Sequence, residues 1–255
     1  MANNSWLEPN GCKAQVGILA SGIVLLALTI AQIIACNSGG NDTVCSAAQD
    51  FCNNNILGPL AGNWDVYYVP TANPDPYPPP LDNYLDNPAV TSKIGSQTKW
   101  KELSDHVYEN FAATGDWMRS SSPDLANVIN EGVRTVIYAG IADYICNHIG
   151  VEAMVRAPPP LLLVLCPPSL IMSLYGQVAS LNTNFSSLFK KQEFANFTVD
   201  GVTAGQYKNA GTFSYVRFFD AGHEVPAYGS PGVARGAAAL QMFTQIMSGQ
   251  QLSGT

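Results

Sequence analysis

Residues 133 to 147 read VRTVIYAGIADYICN. Val133 to Ala139 is a β-branched and aromatic run that follows Glu131-Gly132 and closes on Gly140, the pattern of a strand ending in a turn. A helical stretch from Asn147 through Val155 comes next. The same order recurs downstream. Phe213 to Phe219 (FSYVRFF) follows Asn209-Ala210-Gly211, and after a loop Val233 to Met247 places Ala237, Leu240, Met242, Phe243 and Ile246 on a helical apolar stripe. Alternation of strand, loop and helix predicts the α/β class with a doubly wound sheet, whose functional groups collect at the carboxyl ends of strands. The loops that matter are then Gly140 to Cys146 and Asp220 to Tyr228.

Each of these loops carries one titratable group of note, Asp143 in the first and His223 in the second. Hydrolysis through a serine needs an imidazole to take the hydroxyl proton and a carboxylate to hold that imidazole in the right tautomer. In α/β hydrolases the three follow one another as Ser, Asp, His, and Asp before His is the order found here. Taken singly, a loop aspartate also serves as a cap or turn former, and a loop histidine as surface decoration.

Composition narrows the classes. The 255 residues are 47% hydrophobic and only 12% charged, against roughly 25% charged in ordinary globular proteins, which excludes a solvated disordered chain. A net charge of -7 and the lack of any lysine or arginine run give no footprint for nucleic acid. Cys12, Cys36, Cys45 and Cys52 crowd the N-terminal part without a C-x-x-C pair or an intervening histidine, so two disulfides are expected rather than zinc, with three connectivities open. Disulfides and the sequons at Asn3, Asn41, Asn184 and Asn196 predict an oxidising, secretory route and a glycoprotein.

Two apolar segments interrupt this picture. Val16 to Ala35 is uncharged and long enough to cross a bilayer at roughly 1.5 Å per residue, although flanking cysteines also suit a buried, pinned helix. Ala157 to Met172 (APPPLLLVLCPPSLIM) sets five prolines around a short apolar block, too short to span and unable to continue a helix. It reads as an anomalous insert, of the kind translated non-coding sequence would produce. From Cys36 to Pro80 the chain is rich in Asn, Asp, Gly and Pro, with short apolar runs such as Trp64 to Val69, and is expected to be insertion or loop; helical spacing resumes at Leu81 to Leu85 and Val90 to Ile94. The expected domains are thus residues 1–80, a cysteine-rich cap region with an apolar helix, and residues 81–255, carrying the 157–172 insert.

Five stretches together resemble the serine carboxypeptidase family in its fungal form. VRTVIYAGIADYICN (133–147) is similar to the sequence around that family's catalytic aspartate, and VRFFDAGHEVP (216–226) to the one around its histidine. LDNYLDNPAVTSKIG (81–95), NFAATGDWM (110–118) and GVTAGQYKNAGTF (201–213) resemble family segments in the same order. The resemblance implies the C-terminal half of an α/β-hydrolase fold, with residues 1–80 akin to a cysteine-rich helical insertion. It implies hydrolysis of C-terminal peptide bonds in peptides and proteins, no cofactor or metal, and a secreted or vacuolar location. Asp143 would orient the imidazole, His223 would serve as general base, and Cys146 and Glu224 would line the substrate pocket. Ile141 departs from the acidic residue usual ahead of Ala142-Asp143. The family's nucleophile elbow, G-E-S-Y-[A/G]-G, has no counterpart, since no G-x-S-x-G occurs in the chain. The chain alone is therefore expected to be inactive. An acyltransferase using the same triad, and a non-catalytic secreted or membrane-anchored binding protein, are the alternatives.

Overall fold

The structure, a computed structural model, describes residue 25 and residues 28–71, 81–155 and 181–255. The insert at Ala157–Met172 and much of Val16–Ala35 lie outside the described residues. Residues 28–37 are helical, and no helix among the described residues is long and apolar enough to cross a membrane. The main elements are α1 (Asp42–Cys52), α2 (Asp105–Thr114), α3 (Ser122–Asn130), β1 (Thr135–Gly140), α4 (His148–Val155), α5 (Ser186–Lys191), β2 (Ala195–Val199), β3 (Val202–Ala210), β4 (Phe213–Phe218) and α6 (Ala237–Met247), with shorter helical turns between.

The four strands form one sheet in the order β1-β4-β3-β2. β1 and β4 run parallel, from Thr135 opposite Phe213 to Gly140 opposite Phe218. β4 is buried on both faces. Phe213 and Tyr215 pack with Ile129, Val155 and Phe189 from the helices on one side, while Val216 and Phe218 pack with Phe197, Ala239, Met242 and Leu252 on the other. Burial of each such side chain is worth roughly 1.5–3 kcal/mol, and the result is a helix–sheet–helix sandwich with the parallel pair against its core. This is a partial α/β fold of the class expected, and the two strands expected from sequence are present within two residues at each end.

Three features differ from the sequence reading. First, the sheet is mixed, because β2 and β3 form an antiparallel hairpin and β3 pairs antiparallel with β4. The hairpin turns at Asp200-Gly201, both with positive φ (50° and 79°), as a two-residue turn requires. Second, α6 starts at Ala237 rather than Val233, after Gly236 in the left-handed region, and its packed face is Ala239, Met242 and Ile246. Leu240 and Phe243 are exposed, since the sheet takes up the neighbouring stripe. Third, the stretch from Cys36 is not simply loop. Asn41 caps α1 by accepting the Val44 N–H at 3.0 Å, and the helical path continues through Ala61. Cys36 and Cys45 form a disulfide and Cys52 is a free thiol, so one of the expected bridges is seen; Cys12 lies outside the described residues.

Candidate active site

Parallel pairing puts the carboxyl ends of β1 and β4 side by side, with Asp143 three residues beyond one and His223 five beyond the other. Asp220, in the left-handed region at φ 54°, starts the second loop. Two glycines permit the loops to meet. A Cβ on Gly140 would stand 2.2 Å from the Gly222 carbonyl oxygen and 2.3 Å from that of Ala221, and one on Gly222 would stand 2.4 Å from the Tyr67 carbonyl oxygen. The backbone then locks the pair of loops, with the Ala142 N–H donating to the Ala221 carbonyl at 2.9 Å.

Across these loops His223 Nδ1 and Asp143 Oδ2 lie 2.9 Å apart, joining residues eighty positions distant in sequence. The other carboxylate oxygen, Oδ1, accepts the Cys146 N–H at 3.0 Å, so both oxygens are engaged. The two side chains differ in exposure. The Asp143 side chain is 4% exposed and that of His223 is 37%, which shields the carboxylate from water and leaves part of the imidazole open to solvent. A carboxylate at Nδ1 selects the tautomer with its proton there and leaves Nε2 as the acceptor.

Residues 64–71, expected to be insertion or loop, form a strap that holds both loops. Asp65 is buried and its Oδ1 accepts the N–H groups of Tyr67 at 2.7 Å and Tyr68 at 3.1 Å. From this turn the Val66 carbonyl accepts from Tyr144 and Ile145, each at 3.1 Å, and the Val69 N–H donates to Ala142 at 3.0 Å. The Tyr67 carbonyl accepts the His223 N–H at 2.9 Å, and the Tyr67 ring lies against the imidazole at 5.2 Å between centroids. Tyr67 was not singled out from the sequence. Its signal was there, a run of β-formers (Trp64 to Val69) inside a turn-rich stretch.

The remaining expected site residues fall around this pair. Cys146 is a free, exposed cysteine whose thiol is held above its ordinary value by desolvation and by the Asp143 charge beside it. Glu224 is half-buried next to His223, and its charge, after desolvation, is the leading influence raising the Tyr67 phenol, with Asp65, Asp143 and Cys146 adding to it. Tyr67, Cys146 and Glu224 therefore share the space bordering the dyad. The sequon asparagines Asn41, Asn184 and Asn196 are all exposed.

An α/β sheet that presents a buried carboxylate against a part-exposed imidazole, just beyond the ends of two adjacent parallel strands, has the architecture of an α/β hydrolase. The sequence profile described as serine carboxypeptidase matches residues 63–249, from the strap to the end of α6. The chain belongs to the serine carboxypeptidase family. Carboxypeptidase S1 from Penicillium janthinellum is 34% identical over 223 residues, covering 86% of this chain and 46% of that protein. Carboxypeptidase Y from Schizosaccharomyces pombe is 28% identical over 230 residues, covering 87% of this chain and 20% of that protein. The chain spans less than half the length of these relatives. Among solved structures, that of Kex1(delta)p, a prohormone-processing carboxypeptidase from Saccharomyces cerevisiae, aligns with a TM-score of 0.49 at 16% identity, over 85% of this chain and 44% of that one.

Proposed function

We propose that Asp143 and His223 are the acid and base of a Ser-Asp-His triad in a serine-type carboxypeptidase that removes residues from the C-termini of peptides and proteins. The observation that carries this reading is the 2.9 Å contact between His223 Nδ1 and the buried Asp143 carboxylate. In this mechanism Nε2 of His223 takes the proton of the attacking serine hydroxyl. The imidazolium so formed keeps its Nδ1–H on Asp143 and then passes the Nε2 proton to the leaving amine. A water molecule repeats the cycle on the acyl-enzyme. The serine comes from sequence outside this chain, which has no G-x-S-x-G among its 255 residues. Cys146 and Glu224, together with Tyr67, would border the pocket for the leaving residue. The Cys36–Cys45 disulfide and the exposed sequons at Asn41, Asn184 and Asn196 support a secreted or vacuolar, glycosylated protein.

The test is a chimera in which this chain replaces the matching portion of the Penicillium carboxypeptidase S1. It should release the C-terminal residue from an N-blocked dipeptide and be silenced by a serine-directed phosphonylating reagent. Asp143→Asn should lower kcat by about 10⁴-fold by imposing the wrong tautomer, and His223→Ala should do at least as much. A folded chimera that is inert, or one in which His223→Ala keeps full activity, refutes the assignment.

A further inference from the structure

The segment that follows α6 runs back to the turn of the β2–β3 hairpin and is tied down residue by residue. Leu252 is 1% exposed and joins the core cluster of Val216, Phe218 and Met242, while its carbonyl accepts from Asn209 Nδ2 at 2.9 Å. The Ser253 carbonyl accepts the side-chain amides of Gln241 at 3.1 Å and Gln245 at 2.9 Å, both from α6, and the Ser253 N–H donates to Gln245 Oε1 at 3.2 Å. The Thr255 N–H donates to the Thr198 carbonyl of β2 at 2.9 Å. In the hairpin turn, the positive φ of Asp200 and Gly201 aims two successive N–H groups at Thr255, one reaching its Oγ1 at 3.1 Å and the other its carbonyl at 2.8 Å. Gly254 lies flat on β2 between these anchors. A Cβ there would stand 2.1 Å from Thr198 Oγ1, 3.1 Å from the Thr198 nitrogen and 3.2 Å from the Asn196 carbonyl oxygen, so a side chain would push the tail off the strand.

We infer that this clasp makes the folded chain resistant to C-terminal trimming by carboxypeptidases, with Thr255 as the residue at which trimming halts. Ser253 to Thr255 are exposed, so it is tethering rather than burial that protects them. Hydrolysis of the Gly254–Thr255 bond consumes one water, frees threonine and leaves the new carboxylate on Gly254. It also requires that bond to enter a pocket in extended form. Entry strips the Thr255 N–H, carbonyl and hydroxyl of their partners and draws Ser253 off the two glutamines. Where opening and closing are fast relative to cleavage, trimming tracks the open fraction. Loss of several net hydrogen bonds puts that fraction on the order of 10⁻² or below. Any stretch appended beyond Thr255 lies outside these contacts and would be removed first. That the chain itself belongs among enzymes that trim C-termini rests on the carboxypeptidase reading above; the resistance does not.

The experiment incubates the full chain with carboxypeptidase S1 from Penicillium. Release of Thr255 is timed by mass spectrometry against a synthetic peptide of residues 245–255, which has the same end and no fold. The folded chain should lose Thr255 about a hundredfold more slowly than the peptide, or more slowly still. A chain extended by Ala-Ser-Ala should shed the extension at a peptide-like rate and halt at Thr255. Gly254→Ala lifts the tail and Gln241→Ala removes one of its tethers. In each the lag behind a peptide with the same end should shrink to about tenfold or less, with Tm showing that the rest stays folded. Loss of Thr255 from the folded wild type within about threefold of the peptide rate overturns the proposal, as does a wild-type lag that neither variant shortens. Slow trimming of a chain whose chimera is inactive would uphold the clasp and refute only the catalytic reading.

Discussion

Gly140→Ala is the sharpest probe of how the dyad is assembled. A Cβ at this position would stand 2.2 Å from the Gly222 carbonyl oxygen and 2.3 Å from that of Ala221, where ordinary contact starts near 3.4 Å. Both obstacles are backbone, so no side-chain rotation relieves them. The loop that carries His223 must retreat from the end of β1 by about 1.2 Å, the gap between 2.2 and 3.4 Å. Applied to the 2.9 Å contact between His223 Nδ1 and Asp143 Oδ2, even two-thirds of that retreat takes it beyond the roughly 3.2 Å limit of a nitrogen–oxygen hydrogen bond. Overpacking of this kind costs about 1–3 kcal/mol, a fall in Tm of roughly 2–10 °C for a chain of this size. The assay is nuclear magnetic resonance of the imidazole in ¹⁵N-histidine-labelled chain, which needs no catalytic activity. The wild type should show a downfield Nδ1 proton assigned to His223, absent in Gly140→Ala. If that proton persists unshifted and Tm moves by less than about 1 °C, the tight approach of the two loops does not position the dyad.

Further outcomes follow from other parts of the molecule. The Nδ1 of His148 is buried without a hydrogen-bond partner among the described residues, and its pKa lies below the ordinary value through burial and, secondarily, the Arg217 charge, with Glu152 opposing. The unfolded chain therefore takes up a proton that the folded chain resists. Stability present above about pH 6.5 should be lost as pH falls through the depressed value, and urea midpoints between about pH 7.5 and 5 should show a slope that His148→Gln flattens. Asp65→Ala removes the acceptor of two backbone N–H groups in the strap and should cost about 1–3 kcal/mol, with faster hydrogen exchange of the His223 amide; Asp65→Asn, which keeps an oxygen, should restore most of both. Reduction of the Cys36–Cys45 bridge, which closes a loop of sequence separation 9, should lower stability by about 2–3 kcal/mol in denaturant titration.

What the sequence disclosed followed the strength of local signals. Thr135–Gly140 and Phe213–Phe218 were legible because both are dense in β-branched and aromatic residues, although only the second is a central strand buried on both faces; the first lies at the edge of the described sheet with Tyr138 exposed. The β2–β3 hairpin was missed because Gly205, Gln206, Lys208 and Asn209 dilute that pattern, although Val199-Asp200-Gly201-Val202 carries a hairpin turn signal. Gly205 itself answers to a tertiary demand, since a Cβ there would stand 2.3 Å from the Arg217 carbonyl oxygen. The stripe expected of α6 was too wide, holding Met242 and Ile246, which meet the sheet, together with Leu240 and Phe243, which are as apolar but exposed. Periodicity cannot say which of two adjacent apolar stripes meets the sheet. Asp143 and His223 could be picked out by chain order and by the signatures around them. The strap that fixes them acts mainly through main-chain carbonyls and N–H groups, which leave little trace in side-chain identity.

Main-chain anchoring of this kind also governs how the proposed triad would be divided. Among the described residues, four contacts orient His223: Asp143 at Nδ1, the Tyr67 carbonyl at its backbone N–H, the Tyr67 ring against its face, and the Gly140–Gly222 approach beneath the loop. None of them depends on a serine. The acid and base can thus be set in register before the nucleophile arrives, and the exposed part of the imidazole is the surface left for it. A partly lowered rate in a chimera that still turns over would then arise from where the serine is placed, while loss caused by Gly140→Ala or Asp65→Ala would arise from the base. The two are separable, because only the second alters the Nδ1 proton signal of His223 in the chain on its own.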